Sequence, residues 1–379
     1  MQHTKRIALL IETSTSYGRA LIRGILTYAN IATNWVFYNE PSGFADSLPE
    51  LSAKSFDGII MRDTSENMKL LKLGVPAIVS IRYQDKIAGV PNIVSNSSQI
   101  GAMAASYFRN KGFENFAYCG FENMPWSHER KKAFAASLPS GCRFESFSQQ
   151  SSGSYEKQIQ SLSDWLASLE KPSALMACND VRGATIIEAC KLAGLKIPQE
   201  ISILGVNNDD MICEMVSPQL SSISLNIVKA GSKAAQCLDN LIKGKTGSEQ
   251  RINVEADGIV SRASTDLLAI NDPAIAQALH FITQNRRQHL QVSEVAEYVG
   301  VNRRSLERRF KAVLNTSVYE QIKSVRINTI CKMLTQTSIP ISEISYSMGF
   351  NDANHIARYF KQKTGITPLQ YRKQYSAMH

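Results

Sequence analysis

Two short runs in the last third of the chain carry side chains suited to reading a planar, polar surface. Arg304, Glu307, Arg308 and Lys311 stand at i, i+3, i+4 and i+7, which is one face of an α-helix. Asn354, Ala357, Arg358 and Lys361 repeat that spacing 50 residues later, with Ala353 just ahead of them. Arg can bond bidentately to guanine and Asn to adenine, whereas Lys suits phosphate. Leu306 and Phe310, then Ile356 and Phe360, turn the other way and would hold each helix on its module. A solvated face laced with ion pairs is the ordinary meaning of such charges. The repetition favours contact with DNA instead.

A second set could do different chemistry. Tyr17, Arg19, Asn96, Trp126, Arg130, Asn179, Asp180, Asn207 and Asn208 fall at strand-to-helix corners of the first two thirds. Planar groups that donate and accept in pairs, with an aromatic ring beside them, suit a sugar. Taken singly, each could be a turn or a helix cap, roles that Asn and Asp often fill. As a set at equivalent corners they favour a ligand. Arg62 and Arg82, near strand ends, add positive character. Enzyme signatures are missing: there is no P-loop, GxGxxG after a strand, GxSxG or HExxH, and the six histidines show no metal spacing. Neither a metal nor a cofactor is implied.

The elements that would position the first set say one thing twice. VSEVAEYVGVNRRSLERRFK starts at Val292 and ISEISYSMGFNDANHIARYFK at Ile341. Each reads as a short helix, a turn centred on Gly300 or Gly349, and a second helix, the pattern of a helix-turn-helix. The charge agrees. Residues 273–379 hold 15 Lys/Arg and 6 Asp/Glu, and residues 1–272 hold 27 of each, so the net charge of +9 sits beside the repeat. A basic module joined to a neutral one points to a nucleic-acid binder with a partner domain of another kind.

The neutral part alternates strand and helix. Strands are expected at 7–11, 35–40, 56–61, 75–81, 116–121, 174–180 and 201–208, with helices at 17–30, 96–111, 126–138, 155–169, 182–193 and 228–242. RINVEADGIVSRAST (251–265) reads as one final strand. Uninterrupted apolar strands between helices imply parallel sheets covered on both faces. Their number predicts two α/β lobes with a ligand in the crevice between strand ends. The expected domains are 1–265, a linker at 266–272 and 273–379, the break marked by Asn271-Asp272-Pro273. Seven scattered cysteines without a CxxC fit reduced thiols in a cytoplasmic protein. The opening apolar run IALLI is too short for a signal peptide, and no run reaches membrane-span length.

Residues 273–375 resemble the DNA-binding domain of the AraC/XylS family, through both helix-turn-helices, the connecting helix around Tyr319 to Leu334 and GITPLQYRK at 365–373. The resemblance implies an all-α domain whose recognition helices, about 302–313 and 353–363, enter successive major grooves. It assigns base-facing positions to Arg304, Glu307, Arg308, Ala353, Asn354, Ala357 and Arg358.

Residues 5–265 resemble the ligand-binding core of LacI/GalR-type regulators, related in fold to periplasmic sugar-binding proteins. YGRALIRGI, WSHERKKAF and above all ACNDVRGATIIEACKLAGLKIPQEISILGVNNDD carry the likeness, and SPQLSSISLN resembles a crossing back between lobes. Arg130 and Asp180 match family ligand positions, while Asn96 and Asn207 stand where relatives often have Asp. A LacI-like core followed by an AraC-type reader resembles the family of xylose operon regulators. That implies a homodimer acting on double-stranded operator or promoter DNA, a small sugar effector such as D-xylose, and RNA polymerase as partner. Activation is the expected sense. A ligand-relieved repressor, or a response to another pentose, a sugar acid or a sugar phosphate, fits the same residues.

Overall fold

The computed structural model describes residues 4–43, 56–149, 154–245, 250–266, 272–314, 316–350 and 352–375. The chain divides into two compact units, Met1–Asp266 and Leu267–His379. Positions 267–271 of the expected linker lie outside the described residues.

Unit one contains two sheets. The first lobe begins β1 (Lys5–Leu10), α1 (Ser16–Ala32), β2 (Trp35–Asn39), β3 (Gly58–Arg62), α2 (Ser65–Met68), β4 (Ala77–Ser80) and β5 (Asn92–Ser95). The second contains α3 (Ser97–Asn110), β6 (Asn115–Phe121), α4 (Pro125–Ala136), β7 (Arg143–Gln149), α5 (Tyr155–Ser168), β8 (Ser173–Ala177), α6 (Asp180–Leu192), β9 (Ile201–Asn207), α7 (Asp210–Met215) and β10 (Ser221–Leu225). The chain then returns to the first lobe with α8 (Ile227–Ile242) and β11 (Arg251–Val254), and ends the unit with β12 (Ala256–Val260). Strand orders are β11-β5-β4-β3-β1-β2 and β12-β10-β9-β8-β6-β7. Among the described residues every pairing is parallel except β10 with β12.

The parallel sheets follow from the sequence. Strands β3, β8 and nearly all of β9 are buried along their length, as strands covered on both faces must be. Helices α1 and α8 pack closely because both carry glycine at the contact: a Cβ on Gly24 would fall 2.0 Å from the Val228 carbonyl oxygen.

The segment 251–265 differs from the expectation of one strand. It forms two, one in each sheet, because the chain crosses between lobes at Glu255. The other crossings are at Asn96 and Asn226, and the three are tied together. Asn96 N donates to Val254 O at 3.0 Å, Asn226 N to Glu255 O at 2.8 Å, and Asn96 Nδ2 to Glu255 Oε2 at 2.6 Å.

Unit two is helical: α9 (Pro273–Gln284), α10 (Val292–Val299), α11 (Arg303–Leu314), α12 (Val318–Gln336), α13 (Ile341–Ser347), α14 (Ala353–Thr364) and α15 (Pro368–Tyr375). It has two cores. Ile275, Val295, Leu306, Phe310 and Ile322 belong to one; Ile330, Leu334, Ile344, Ile356 and Phe360 belong to the other. Helix α12 supplies both. The turns that join α10 to α11 and α13 to α14 run through Gly300 (φ 73°) and Gly349 (φ 71°), where a Cβ would be strained. Among the described residues no helix is long and apolar enough to cross a membrane.

Candidate functional site

Unit one carries a cleft of about 290 Å³ bordered by the carboxyl ends of strands from both sheets. That is where an open parallel sheet leaves backbone and helix N-termini free for a ligand. The first lobe contributes Glu12 after β1, Tyr17 in the first turn of α1, Arg62 at the end of β3, Arg82 after β4 and Ser95 at the end of β5. The second contributes Trp126, Glu129 and Arg130 from α4, Asn179 and Asp180 at the start of α6, Asn207 at the end of β9, and Asp209 and Ile212 beyond it.

Each lobe presents a guanidinium stacked on a ring. Arg62 lies 4.8 Å from the Tyr17 centroid and Arg130 lies 4.9 Å from that of Trp126. Their partners differ. Arg62 Nε donates to Glu12 Oε2 at 2.8 Å and its Nη1 to Ser80 Oγ at 2.7 Å, while Arg82 Nη1 reaches Glu12 Oε1 at 2.7 Å. Burial pushes the Glu12 carboxyl up, but the charge and hydrogen bond of Arg62, with Arg82 behind them, hold it below the usual range. Arg130 has no carboxylate on its guanidinium among the described residues. Its Nη1 donates to Cys178 O at 2.5 Å and Nη2 to Ser95 Oγ at 3.2 Å, and burial lowers its pKa. Its Nε, and Oδ1 of Asn207, are shielded from solvent without a hydrogen-bond partner among the described residues. Buried polar atoms of this kind are rare in folded proteins and call for an explanation.

Of the positions expected from sequence, the fold brings Tyr17, Trp126, Arg130, Asn179, Asp180 and Asn207 to this cleft, together with Arg62 and Arg82. Arg19 and Asn96 are not among its lining. Arg19 Nη1 donates to the carbonyls of Thr13 (2.8 Å) and Ser14 (3.0 Å), bracing the loop behind the rim. Asn96 caps α3 through Gln99 N at 3.2 Å and bonds Glu255, so it serves the crossing between lobes. Asn208 Oδ1 accepts from Arg262 Nη1 at 2.8 Å. Asn179 caps α6, accepting from Arg182 N at 2.8 Å. Asp180 is almost wholly buried, accepting from Ser222 Oγ at 2.5 Å and Asp209 N at 2.8 Å, and burial raises its pKa to about 7. Glu12 escaped the sequence reading, although an acid directly after the buried run IALLI was a usable signal.

In unit two, Arg304, Arg308 and Lys311 are exposed on α11, and Ala353, Asn354, Arg358 and Lys361 on α14, with Ala357 half-buried. Leu306, Phe310, Ile356 and Phe360 are fully buried on the opposite faces. Glu307 is partly engaged: its Oε2 accepts from Val318 N at 3.3 Å, at the start of α12. The neighbouring Arg309 is turned inward to Asp272 at 3.1 Å, and Asp272 itself caps α9. Two exposed cationic helix faces on separate cores can each enter a major groove.

Residues 105–265 match the periplasmic binding protein-like domain family and residues 295–374 a helix-turn-helix domain family. The xylose operon regulatory protein of Haemophilus influenzae is 28% identical over 97% of this chain and 98% of its own. An HTH-type transcriptional regulator of Pseudoalteromonas carrageenovora is 32% identical over 32% of this chain and 74% of its own. Among solved structures, that of a xylose-binding transcription activator superposes with a TM-score of 0.77 at 24% identity, covering 99% of both chains, which concerns the fold.

Proposed function

The chain belongs to the helix-turn-helix transcriptional regulators that set a LacI-like sugar-binding domain ahead of an AraC-type DNA-binding domain, and from this we propose that it activates a xylose or related carbohydrate-use operon in response to a sugar. The carrying observation is the pair of buried, unpartnered atoms in the cleft, Arg130 Nε and Asn207 Oδ1. One donates and the other accepts, which is what a sugar hydroxyl requires. The Trp126 ring beside Arg130 offers an apolar face for the pyranose or furanose ring.

A neutral pentose suits the charge better than an acid does. Arg62 and Arg82 share the one Glu12 carboxylate, which offsets one of their two charges and occupies donors that an acid would need. Binding would favour one arrangement of the lobes, and a homodimer would pass that preference to paired readers on double-stranded DNA, where RNA polymerase is recruited. The site of action is the cytoplasm. An acidic sugar is the second reading, favoured by Arg130, whose guanidinium bonds no carboxylate among the described residues.

Titration calorimetry of the full chain against D-xylose, D-ribose, L-arabinose and D-xylonate tests the effector. One-site binding of a neutral pentose is expected. A preference for D-xylonate would replace the first reading with the second, and binding of none would remove the sugar assignment. Transcription from a bound promoter, with and without the sugar, separates activation from relief of repression.

A further inference from the structure

We propose that Arg326 fixes the spacing and angle between the two DNA-reading helices, and so decides which separations of two half-sites the protein accepts. The inference rests on the DNA-reading part of the function above and adds to it a residue that touches no DNA.

Arg326 stands at the seam of unit two. Helix α12 gives Ile322 to the first core and Ile327 to the second, and Arg326 falls between them. It is 4% exposed, although it is a charged residue in the middle of a helix. Each arm of its guanidinium holds a different half. Nη1 donates to the carbonyl of Gln288, in the loop between α9 and α10 of the first half. Nη2 donates at 2.8 Å to the carbonyl of Met348, at the end of α13 in the second. The group lies over two rings of the second half, Phe350 at 5.1 Å and Tyr359 at 5.9 Å. The halves meet closely there, since a Cβ on Gly349 would lie 3.6 Å from Arg287 O.

The geometry suits an angular constraint better than simple adhesion. A guanidinium is flat and its donors are fixed in direction, so two carbonyls bonded to it are fixed relative to one another. Burial holds its pKa below the ordinary value without removing the charge. The Lys363–Glu320 pair also joins the second recognition helix to α12, at 2.8 Å, but both side chains are more than two fifths exposed and water screens them. Arg372 makes a similar pair of backbone bonds, to Leu334 O and Ile339 O, within the second half alone. Arg326, by contrast, bonds both halves.

The full chain, with and without D-xylose, would first select its own best duplex from a randomised pool. Inserting one base pair between the two half-sites moves them by about 3.4 Å and turns them by about 34°. Affinity of the wild-type protein should fall about tenfold or more on insertion, while Arg326→Met should fall less than about threefold from a weaker starting point. Arg326→Lys, which keeps the charge but not the fork, should lie between. Arg372→Met serves as the control, losing thermal stability but keeping the wild-type spacing penalty. If Arg326→Met and Arg326→Lys, folded by circular dichroism, keep the wild-type penalty, the inference is overturned. The same holds if Arg372→Met flattens it equally. Failure of the wild-type chain to select any duplex would instead remove the DNA-reading function beneath it.

Discussion

Arg62 and Glu12 form an ion pair at 2.8 Å inside the cleft, with side chains 7% and 14% exposed, and Arg82 takes the other carboxylate oxygen. A buried guanidinium left without its carboxylate is costly, whereas the Arg82 arm, 37% exposed, matters less. Glu12→Gln should therefore destabilise unit one by about 3 kcal/mol, the low end for breaking a buried pair, since the amide still accepts one bond. The folded-state pKa of Glu12 lies below its ordinary value. The contribution is thus complete above the usual glutamate range and lost as pH falls through the folded value. Urea melts between pH 3 and 7 would show wild type and variant converging at the acid end. The uncovered guanidinium should also raise binding of D-xylonate relative to D-xylose, readable by thermal shift.

Asp180 titrates in the opposite sense. Burial lifts its pKa from 3.8 to about 7 despite the hydrogen bonds from Ser222 and Asp209. A carboxyl raised on folding stabilises below the unfolded value and withdraws that support as pH rises towards the folded one. The rise from 3.8 to about 7 corresponds to about 4 kcal/mol across pH 4 to 7. Asp180→Asn cannot titrate, so its stability relative to wild type should improve steadily over that window. A difference independent of pH would show that Asp180 keeps an ordinary pKa in the folded chain.

Much of this was legible in the sequence, because the strongest signals are periodic. The buried faces of α11 and α14 were set by Leu306, Phe310, Ile356 and Phe360, and the buried strands by unbroken apolar runs. What escaped depends on where the chain goes next. Asn96 looks like any strand-to-helix corner, yet the chain changes lobe there, and its amide meets Glu255, distant in sequence. Residues 251–265 read as one strand because nothing local marks the crossing at Glu255. Glu307 shares its helical face with Arg304 and Arg308, but only the placement of α12 brings the Val318 amide to its carboxylate. Arg326 carried no sequence signal, since its partners are main-chain carbonyls.

Trp126 stacks on Arg130 and edges against Phe121, with ring centroids 6.3 Å apart. It is half-buried, so truncation removes cleft surface and leaves the core of the second lobe in place. Trp126→Ala should abolish the sugar response while sparing DNA binding without sugar. Gel-shift titrations with and without D-xylose check this; loss of DNA binding itself would make Trp126 structural.

The two recognition helices should contribute unequally. On α11, Arg304, Arg308 and Lys311 are exposed, while Glu307 is drawn to the start of α12 and Arg309 to Asp272. On α14, Asn354 and Arg358 stand between alanines, which offer only apolar contact. Arg308→Ala and Arg358→Ala should each weaken operator binding by roughly 1–3 kcal/mol where the arginine reads a base pair. Each should relax specificity at its own position, which sets a base contact apart from a phosphate contact. Glu307→Ala should behave differently. It frees the Val318 amide, lowering stability by about 0.5–1.5 kcal/mol, and removes an anion from the DNA-facing side, so binding should hold or tighten. Anisotropy titrations on single-base operator variants distinguish these outcomes. Unchanged affinity and specificity in both arginine variants would mean that other faces of α11 and α14 meet the DNA.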